Sequence, residues 1–265
     1  MRLFISPAKK MRADVDFLQA EQLPQLLSKA CELLEYCRGL TVQELKKLLC
    51  CNDGIAALNY ERYRDMVLEH AVTPALLAFD GIQYQYMAPQ LFTEEQFGYV
   101  RKRLYILSGF YGILRPFDGV LPYRLEMQAK IKFKGYKSLY EFWGAEPAKK
   151  LISGEEVLVN LASKEYARTV LPYLPEEIRC VTPVFGELEE GRVVEKGVYV
   201  KMARGEMVRF LAERQAENPE EMQAFQRLGY HFCPERSDRS SYVFFETGRR
   251  KRGNEAKPAE NLKEN

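Results

Sequence analysis

The chain has six cysteines but no C-x-x-C pair, and its two histidines, His70 and His231, lie far in sequence from any cysteine pair. These spacings do not make a zinc site, so no metal is expected. Reduced, mostly buried thiols are the simplest reading. Cys50-Cys51 is the one adjacent pair, and a redox role for it would need an exposed, electropositive setting. No apolar run reaches the length of a membrane span. The start, MRLFISPAKK, is too short in apolar residues for a signal peptide, so a cytoplasmic location without a membrane partner is expected. There is no Walker A loop, no G-x-G-x-x-G, no H-E-x-x-H and no G-x-S-x-G. The usual signals of nucleotide hydrolysis, NAD chemistry, zinc proteolysis and esterase chemistry are therefore missing, and no cofactor is expected. Internal repeats and long linkers are absent too.

What is present is a length of 265 residues, 46% hydrophobic and 29% charged, enough for one large domain or two small ones with a sizeable core. The net charge is only +2, but it is unevenly spread. Residues 101–150 hold 11 Lys/Arg against 4 Asp/Glu, and residues 248–265 hold 6 against 3, leaving the remainder at −8. Such segregation is the footprint of a protein that meets an anion on one face, with a solvated basic face as the alternative.

RLFI (residues 2–5) reads as a short buried strand running into Ser6-Pro7-Ala8-Lys9-Lys10. Residues 21–50 show helical periodicity, with Leu23, Leu26, Leu27, Ala30, Leu33 and Leu34 on one face. Thr41 with Glu44, and Thr93 with Gln96, are capping-box starts for helices expected to run through Leu49 and Leu107. A helix is expected over Asp53–Met66, with Leu58, Tyr63 and Met66 available to the core. LLAFDG (76–81) reads as a strand and turn, Ile131–Phe133 as a strand, and Ser138–Trp143 as a helix start. EEVLVNLA (155–162), Val181–Phe185, Val193–Val200, Tyr230–Cys233 and Tyr242–Glu246 read as strands, with a turn at Glu189-Glu190-Gly191. Residues 201–216 read as an amphipathic helix with one internal glycine. Strands and helices intermix without regular βαβ alternation, which indicates α+β rather than a doubly wound fold. Residues 1–247 form one domain on this reading, and the charged residues 248–265 form a disordered tail.

Four polar clusters stand at the ends of apolar segments, where sites form. Ser6-x-x-Lys9 has the spacing of some serine acylases, but the partner motifs are absent, and a lysine binding an anion at a strand end fits better. In LYILSGFYGILRPFDGVLPYRLEM (104–127), the pair Gly109 and Gly112 would let backbone N–H groups approach a phosphate. Arg124 and Glu126 would share one face of a strand. Asn160, Ser163, Lys164, Glu165 and Tyr166 follow a buried strand and offer donors, acceptors and an acid/base pair. Ser163 is equally readable as a helix N-cap. Lys201 and Arg204 are neighbours on one helix face, and Gly205 beside them points to close packing or close ligand approach.

On ISPAK (5–9), LSGFYGILRPFD (107–118), PYRLEM (122–127), LYEFWG (139–144), VNLASKEY (159–166) and KMARGEMVRF (201–210), the chain resembles the bacterial peroxide stress protein YaaA family over roughly residues 1–246. The resemblance implies a single mixed α/β domain of unusual topology with a basic cleft. It also implies binding of double-stranded and branched DNA through a helix-hairpin-helix-like element, and a role under oxidative stress. That element maps onto Leu107–Arg115, with Gly109-Phe110-Tyr111-Gly112 as its hairpin. Cys50-Cys51 and the run Arg249–Arg252 depart from the family pattern.

Two functions are weighed. In a DNA-binding protein without sequence specificity, Gly109 and Gly112 would offer N–H groups, and Arg115, Arg124, Lys164, Lys201, Arg204 and Arg209 the charge. In an enzyme acting on a nucleic acid or a nucleotide-like small molecule, Lys9, Arg124, Glu126, Asn160, Ser163, Glu165, Tyr166 and Lys201 are the candidate catalytic residues. Convergence of Lys9, Arg124, Asn160, Glu165 and Lys201 in one closed pocket would favour the enzyme, and dispersal along an open groove the binder.

Overall fold

The structure is a computed structural model that describes residues 1–13, 18–189 and 192–246. The expected tail, 248–265, and part of the Glu189-Glu190-Gly191 turn lie outside the described residues. The strands of the main sheet are β1 (Arg2–Ile5), β2 (Leu104–Ser108), β3 (Gly112–Leu114), β4 (Val157–Leu161), β5 (Arg179–Glu189), β6 (Arg192–Val194), β7 (Tyr230–Phe232) and β8 (Ser241–Glu246). Their order is β7-β8-β5-β4-β1-β2-β3, with β6 paired to β5. The run β8-β5-β4-β1-β2 is parallel throughout. β3, β6 and β7 add to it in antiparallel sense.

A mixed single domain of unusual topology is thus what forms, but its centre is more parallel than the irregular order of elements suggested. The reason lies in the central strands. RLFI and VLVNL are apolar almost without interruption, the composition of strands covered on both faces. From β1 the chain moves to β2 on one side. From β3 it crosses to β4 on the other side of β1, and then onward to β5. β1 and β4 are therefore neighbours whose chains depart in opposite directions, a switch point of the kind that opens a crevice beyond the carboxyl ends of parallel strands.

The helices are α1 (Leu27–Arg38), α2 (Val42–Leu49), α3 (Asp53–Asp65), α4 (Ile82–Met87), α5 (Glu94–Arg103), α6 (Leu139–Trp143), α7 (Glu146–Ile152), α8 (Lys164–Ala167) and α9 (Gly197–Arg214). Both capping boxes form as read from the sequence, Thr41 with Glu44 and Thr93 with Gln96. α9 packs on α4, α5 and β5. It buries residues on most of its circumference, from Val200 and Ala203 round to Leu211 and Ala212, so it is a core helix rather than an amphipathic one. A Cβ on Gly205 would lie 2.1 Å from the Gln83 carbonyl oxygen, so this glycine is there for the close approach of α9 to α4.

Several local expectations are corrected. The stretch 21–50 holds the two helices expected, but Leu23 precedes them and is 41% exposed rather than on a helix face. Leu58 points outward from α3, while Tyr63 and Met66 are buried. LLAFDG forms one helical turn (Ala75–Ala78) and a two-residue strand (Phe79–Asp80) paired with Lys10–Met11. The helix from Thr93 ends at Arg103, where the chain enters β2. Strand structure near Val193–Val200 stops at Val194, and α9 begins at Gly197, with Val200 buried in its packing and Val198 54% exposed. Ile131–Phe133 contributes only an isolated bridge from Phe133 to Tyr136.

The largest correction concerns Leu107–Arg115. It is not a helix-hairpin-helix but the turn between antiparallel β2 and β3, with Ser108 opposite Gly112. Gly109 and Gly112 are buried. The Phe110 and Tyr111 N–H groups donate to Ser108 Oγ at 3.2 and 2.8 Å, inside the protein rather than toward a phosphate. A Cβ on Gly109 would lie 2.2 Å from the Leu125 carbonyl oxygen, so packing against the following segment requires this glycine. Gly112 has a φ of +75° and leaves room for the Trp143 ring.

Candidate functional site

A cavity of 340 Å³ opens beyond the carboxyl ends of β1 and β4. Its wall comes from five stretches: Ser6–Lys10 after β1, Asp80–Tyr84 leading into α4, Tyr123–Glu126, Ser163 to Tyr166 after β4, and Lys201 with Arg204 on α9. Four of these stretches are held by hydrogen bonds behind the cavity. The Ser163 N–H donates to Ser6 Oγ at 2.8 Å, which joins the two strand ends across the switch point. Tyr84 OH donates to the Ser6 carbonyl at 2.9 Å, and Gln83 Nε2 to the Leu161 carbonyl at 3.2 Å. Tyr140 OH donates to the Glu165 carbonyl at 3.0 Å, and Tyr63 OH to the Arg124 carbonyl at 2.8 Å.

Residues 123–127, YRLEM, form no strand, yet their burial alternates: Tyr123, Leu125 and Met127 face the core, and Arg124 and Glu126 face the cavity. Arg124 and Glu126 form an ion pair at 2.6 Å, and Lys9 reaches Glu126 from the opposite wall at 3.1 Å. Burial would raise the Glu126 carboxyl, but the Arg124 hydrogen bond and the charges of Arg124 and Lys9 outweigh it and hold the group below the ordinary carboxylate range. Glu165 behaves in the opposite way. Burial, reinforced by the Glu126 charge, raises it, although the Gln128 N–H donates to its Oε1 at 3.2 Å. Two carboxylates in one cavity are thus driven apart in acidity, Glu126 held below the ordinary carboxylate range and Glu165 raised above it.

Arg204 is the most unusual group. Only 9% of it is exposed, it lines the cavity, and its Nε has no hydrogen-bond partner. No carboxylate among the described residues forms an ion pair with it. Burial lowers its affinity for its proton, and the charge of Glu195 offsets this only in part. An exposed Lys201 stands one turn away on the same wall.

The structure therefore brings together Lys9, Arg124, Glu126, Ser163, Glu165, Tyr166, Lys201 and Arg204. Asn160 is not in the wall. It is buried beneath it, where Oδ1 accepts the Ala162 N–H at 3.1 Å and shapes the loop that carries Ser163. Ser163 occupies the N-cap position of α8 but makes no capping bond. The other expected anion contacts lie elsewhere. Arg115 is committed to the buried Asp118 at 2.9 Å and to the Leu23 carbonyl at 3.0 Å. Arg209 is paired with Glu213 at 2.9 Å, and Lys164 points outward, 94% exposed, 3.7 Å from Glu195. Sequence reasoning missed Asp80, Gln83 and Tyr84. Gln83 is buried, but its neighbours Asp80, Gly81 and Gln85 give no sequence signal of this.

An open groove of 820 Å³ meets the cavity at Lys9 and Glu126 and runs past Glu44, Lys47, Cys50, Gln128, Lys130 and Lys132. Among the described residues no group of His, Cys, Asp and Glu is arranged to hold a metal ion. All six cysteines are free. Cys37 and Cys233 are buried, Cys50 is exposed, and the other three are half-buried. Burial pushes the Cys37 and Cys180 thiols up to about 12 and also raises Cys51. No helix among the described residues is long and apolar enough to cross a membrane.

Residues 1–236 match the family model described as peroxide stress protein YaaA. The chain is 53% identical over 244 residues to a UPF0246 protein of Desulfitobacterium hafniense, covering 92% of this chain and 97% of that one. UPF0246 proteins of Pediococcus pentosaceus and Lachnoclostridium phytofermentans are 47% and 46% identical over 244 residues each, covering 92% of this chain and 97% and 96% of theirs. The chain belongs to the YaaA/UPF0246 family.

Proposed function

We propose that the cavity binds, and acts on, an anionic nucleotide-like molecule, either free or as a unit of a nucleic acid. One observation carries this reading: Arg204 is buried in the cavity wall with no ion-pair partner among the described residues and no partner for Nε, and the charge of Glu195 offsets its burial only in part. A buried guanidinium left this way is costly, and an incoming phosphate or carboxylate removes the cost. Glu165 is then the group suited to proton transfer, and Arg124 and Lys9 keep Glu126 ionised. Lys9, Arg124, Glu165 and Lys201, four of the five residues whose convergence would favour an enzyme, line one cavity, while the fifth, Asn160, does not line it. A cytoplasmic setting suits six unpaired thiols.

The test is thermal unfolding and calorimetry of the purified protein with nucleoside monophosphates and inorganic phosphate. Saturable stabilisation that Arg204→Met abolishes is expected, about 2.7 kcal/mol at a hundredfold excess over Kd. No stabilisation of the unsubstituted protein by any of these anions at millimolar concentration refutes the reading.

Duplex and branched DNA binding is the second reading, and the groove favours it. Lys47, Lys130 and Lys132 line it without an ion-pair partner among the described residues, and it leads into the cavity at Lys9. It is the candidate for the basic cleft and for a role under peroxide stress. Binding to duplex and four-way-junction DNA across a salt series should fall steeply, and each of Lys130→Ala and Lys132→Ala should reduce the slope by about 1. Absence of binding at low salt, or slopes unchanged by both substitutions, removes the groove from consideration.

A further inference from the structure

We propose that the cavity is built for a ligand with two unlike ends, a nucleoside monophosphate whose base carries an exocyclic amine, with the phosphate at Arg204 and Lys201 and the amine at Glu165. This rests on the anion-site reading above and adds the identity of the other end.

The charges of the wall come from separate stretches, and Lys9, Lys10, Asp80 and Arg124 line it beside Arg204, Lys201, Glu165 and Glu126. Arg204 and Lys201 come from α9, whereas Glu165 and Glu126 come from the stretch after β4 and from the segment after the β2–β3 hairpin. The two ends do not neutralise each other: the acidic group whose charge acts on Arg204 is Glu195, not Glu126 or Glu165. The charges that act on Glu165 are those of Glu126 and Lys9. A small molecule that satisfies both ends must itself be anionic at one end and a donor at the other.

The donor end falls to Glu165 because Glu126 is already engaged by Arg124 at 2.6 Å and Lys9 at 3.1 Å. Glu165 receives the backbone N–H groups of Gln128, on Oε1, and of Met127, and has no cation within ion-pair distance among the described residues. An ionised carboxylate is acceptor-only with about four lone-pair sites, so part of its capacity is open. An amine on a heterocycle fits there. A carbonyl in the same place sets oxygen against oxygen and is rejected. The volume of 340 Å³ is within the range of small-molecule sites.

The experiment uses matched pairs that differ only in amine against carbonyl, namely CMP against UMP and AMP against IMP, with inorganic phosphate as a third arm. Calorimetry at pH 8 favours the ionised form of Glu165. The expected result is at least about tenfold tighter binding of the amine member of a pair. Glu165→Gln, which can turn a donor toward the ligand, should bring the members of that pair within about threefold while phosphate still binds. Equal or tighter binding of both carbonyl members by the unsubstituted protein overturns the proposal, and so does a preference undiminished in Glu165→Gln. If phosphate and all four nucleotides bind alike, the anion site stands and this inference alone falls. If none of them binds, the anion site falls and this inference with it. The matched pairs on the unsubstituted protein keep the test decisive even if Glu165→Gln does not fold.

Discussion

Arg204→Met should make the unliganded protein more stable while removing its response to anions. The arginine is 91% buried by its 9% exposure and leaves Nε without a partner. A buried unsatisfied donor costs about 1–3 kcal/mol. Exchange of buried charges for apolar side chains of similar volume gains about 1–4 kcal/mol in comparable sites. Methionine follows the path of the arginine stem and fills an irregular space without demanding a particular rotamer. A net gain of about 1–3 kcal/mol is therefore expected, and at about 2–4 °C per kcal/mol for a domain near this size, Tm rises by roughly 2–12 °C. The assay is thermal and urea unfolding in a buffer free of phosphate, with Arg204→Lys as the charged control, followed by the same scan with added nucleotide. A Tm lowered by a similar amount, in a variant that folds, would show that the guanidinium is satisfied from within and that no external anion is needed to explain it.

Gly109→Ala should cost about 2 kcal/mol or more in urea unfolding, because the added methyl meets the Leu125 carbonyl oxygen at 2.2 Å. A normally stable variant that merely loses DNA affinity would restore the phosphate-binding role of this turn. Asp118 is fully buried, and burial, only partly offset by Arg115, raises its carboxyl to about 6. The folded state then holds this proton more tightly than the unfolded chain does. Its contribution is fully present below the unfolded value and is lost as pH rises through about 6. Stability of the unsubstituted protein should decline from pH 4 to pH 6 by up to about 3 kcal/mol from this group, and Asp118→Asn should flatten that slope. A slope identical in the two proteins would show that the group titrates as in the unfolded chain. Cys50 ends α2 at a φ of 45°, so Cys50→Gly should raise the urea midpoint by the equivalent of about 0.5–1 kcal/mol. An unchanged or lower midpoint would count against backbone strain at that cap.

What could be read in advance was whatever depends on neighbours in sequence. The Thr41–Glu44 and Thr93–Gln96 caps are closed by side chains three residues from their partners, and both formed. RLFI and VLVNL declared themselves as buried strands through composition alone. Arg124 and Glu126 were correctly placed on one face although no strand forms, since alternation requires only an extended backbone with one side against the core. The failures all involve distant partners. Gly109 suggested a phosphate loop because the Leu125 carbonyl that requires its missing side chain belongs to another segment. Val200 favours a strand but is drawn into α9 by its tertiary packing. Lys9, Glu165 and Lys201 could each be suspected, yet nothing local showed that they share a cavity. Asn160 was included because it adjoins Ser163, whereas its position in the strand turns it under the wall.

The five stretches that wall the cavity are separated by most of the chain, from Ser6 to Arg204, and they meet only where β1 and β4 lie side by side. No fragment of the protein can carry a working part of the site. Ligand affinity is therefore a readout of the entire folded assembly, and binding and structure should disappear together on denaturation instead of one outlasting the other. Contacts this distant in sequence also form late, since closing long loops is slow. In a chain emerging from the ribosome the cavity is complete only after α9 has docked.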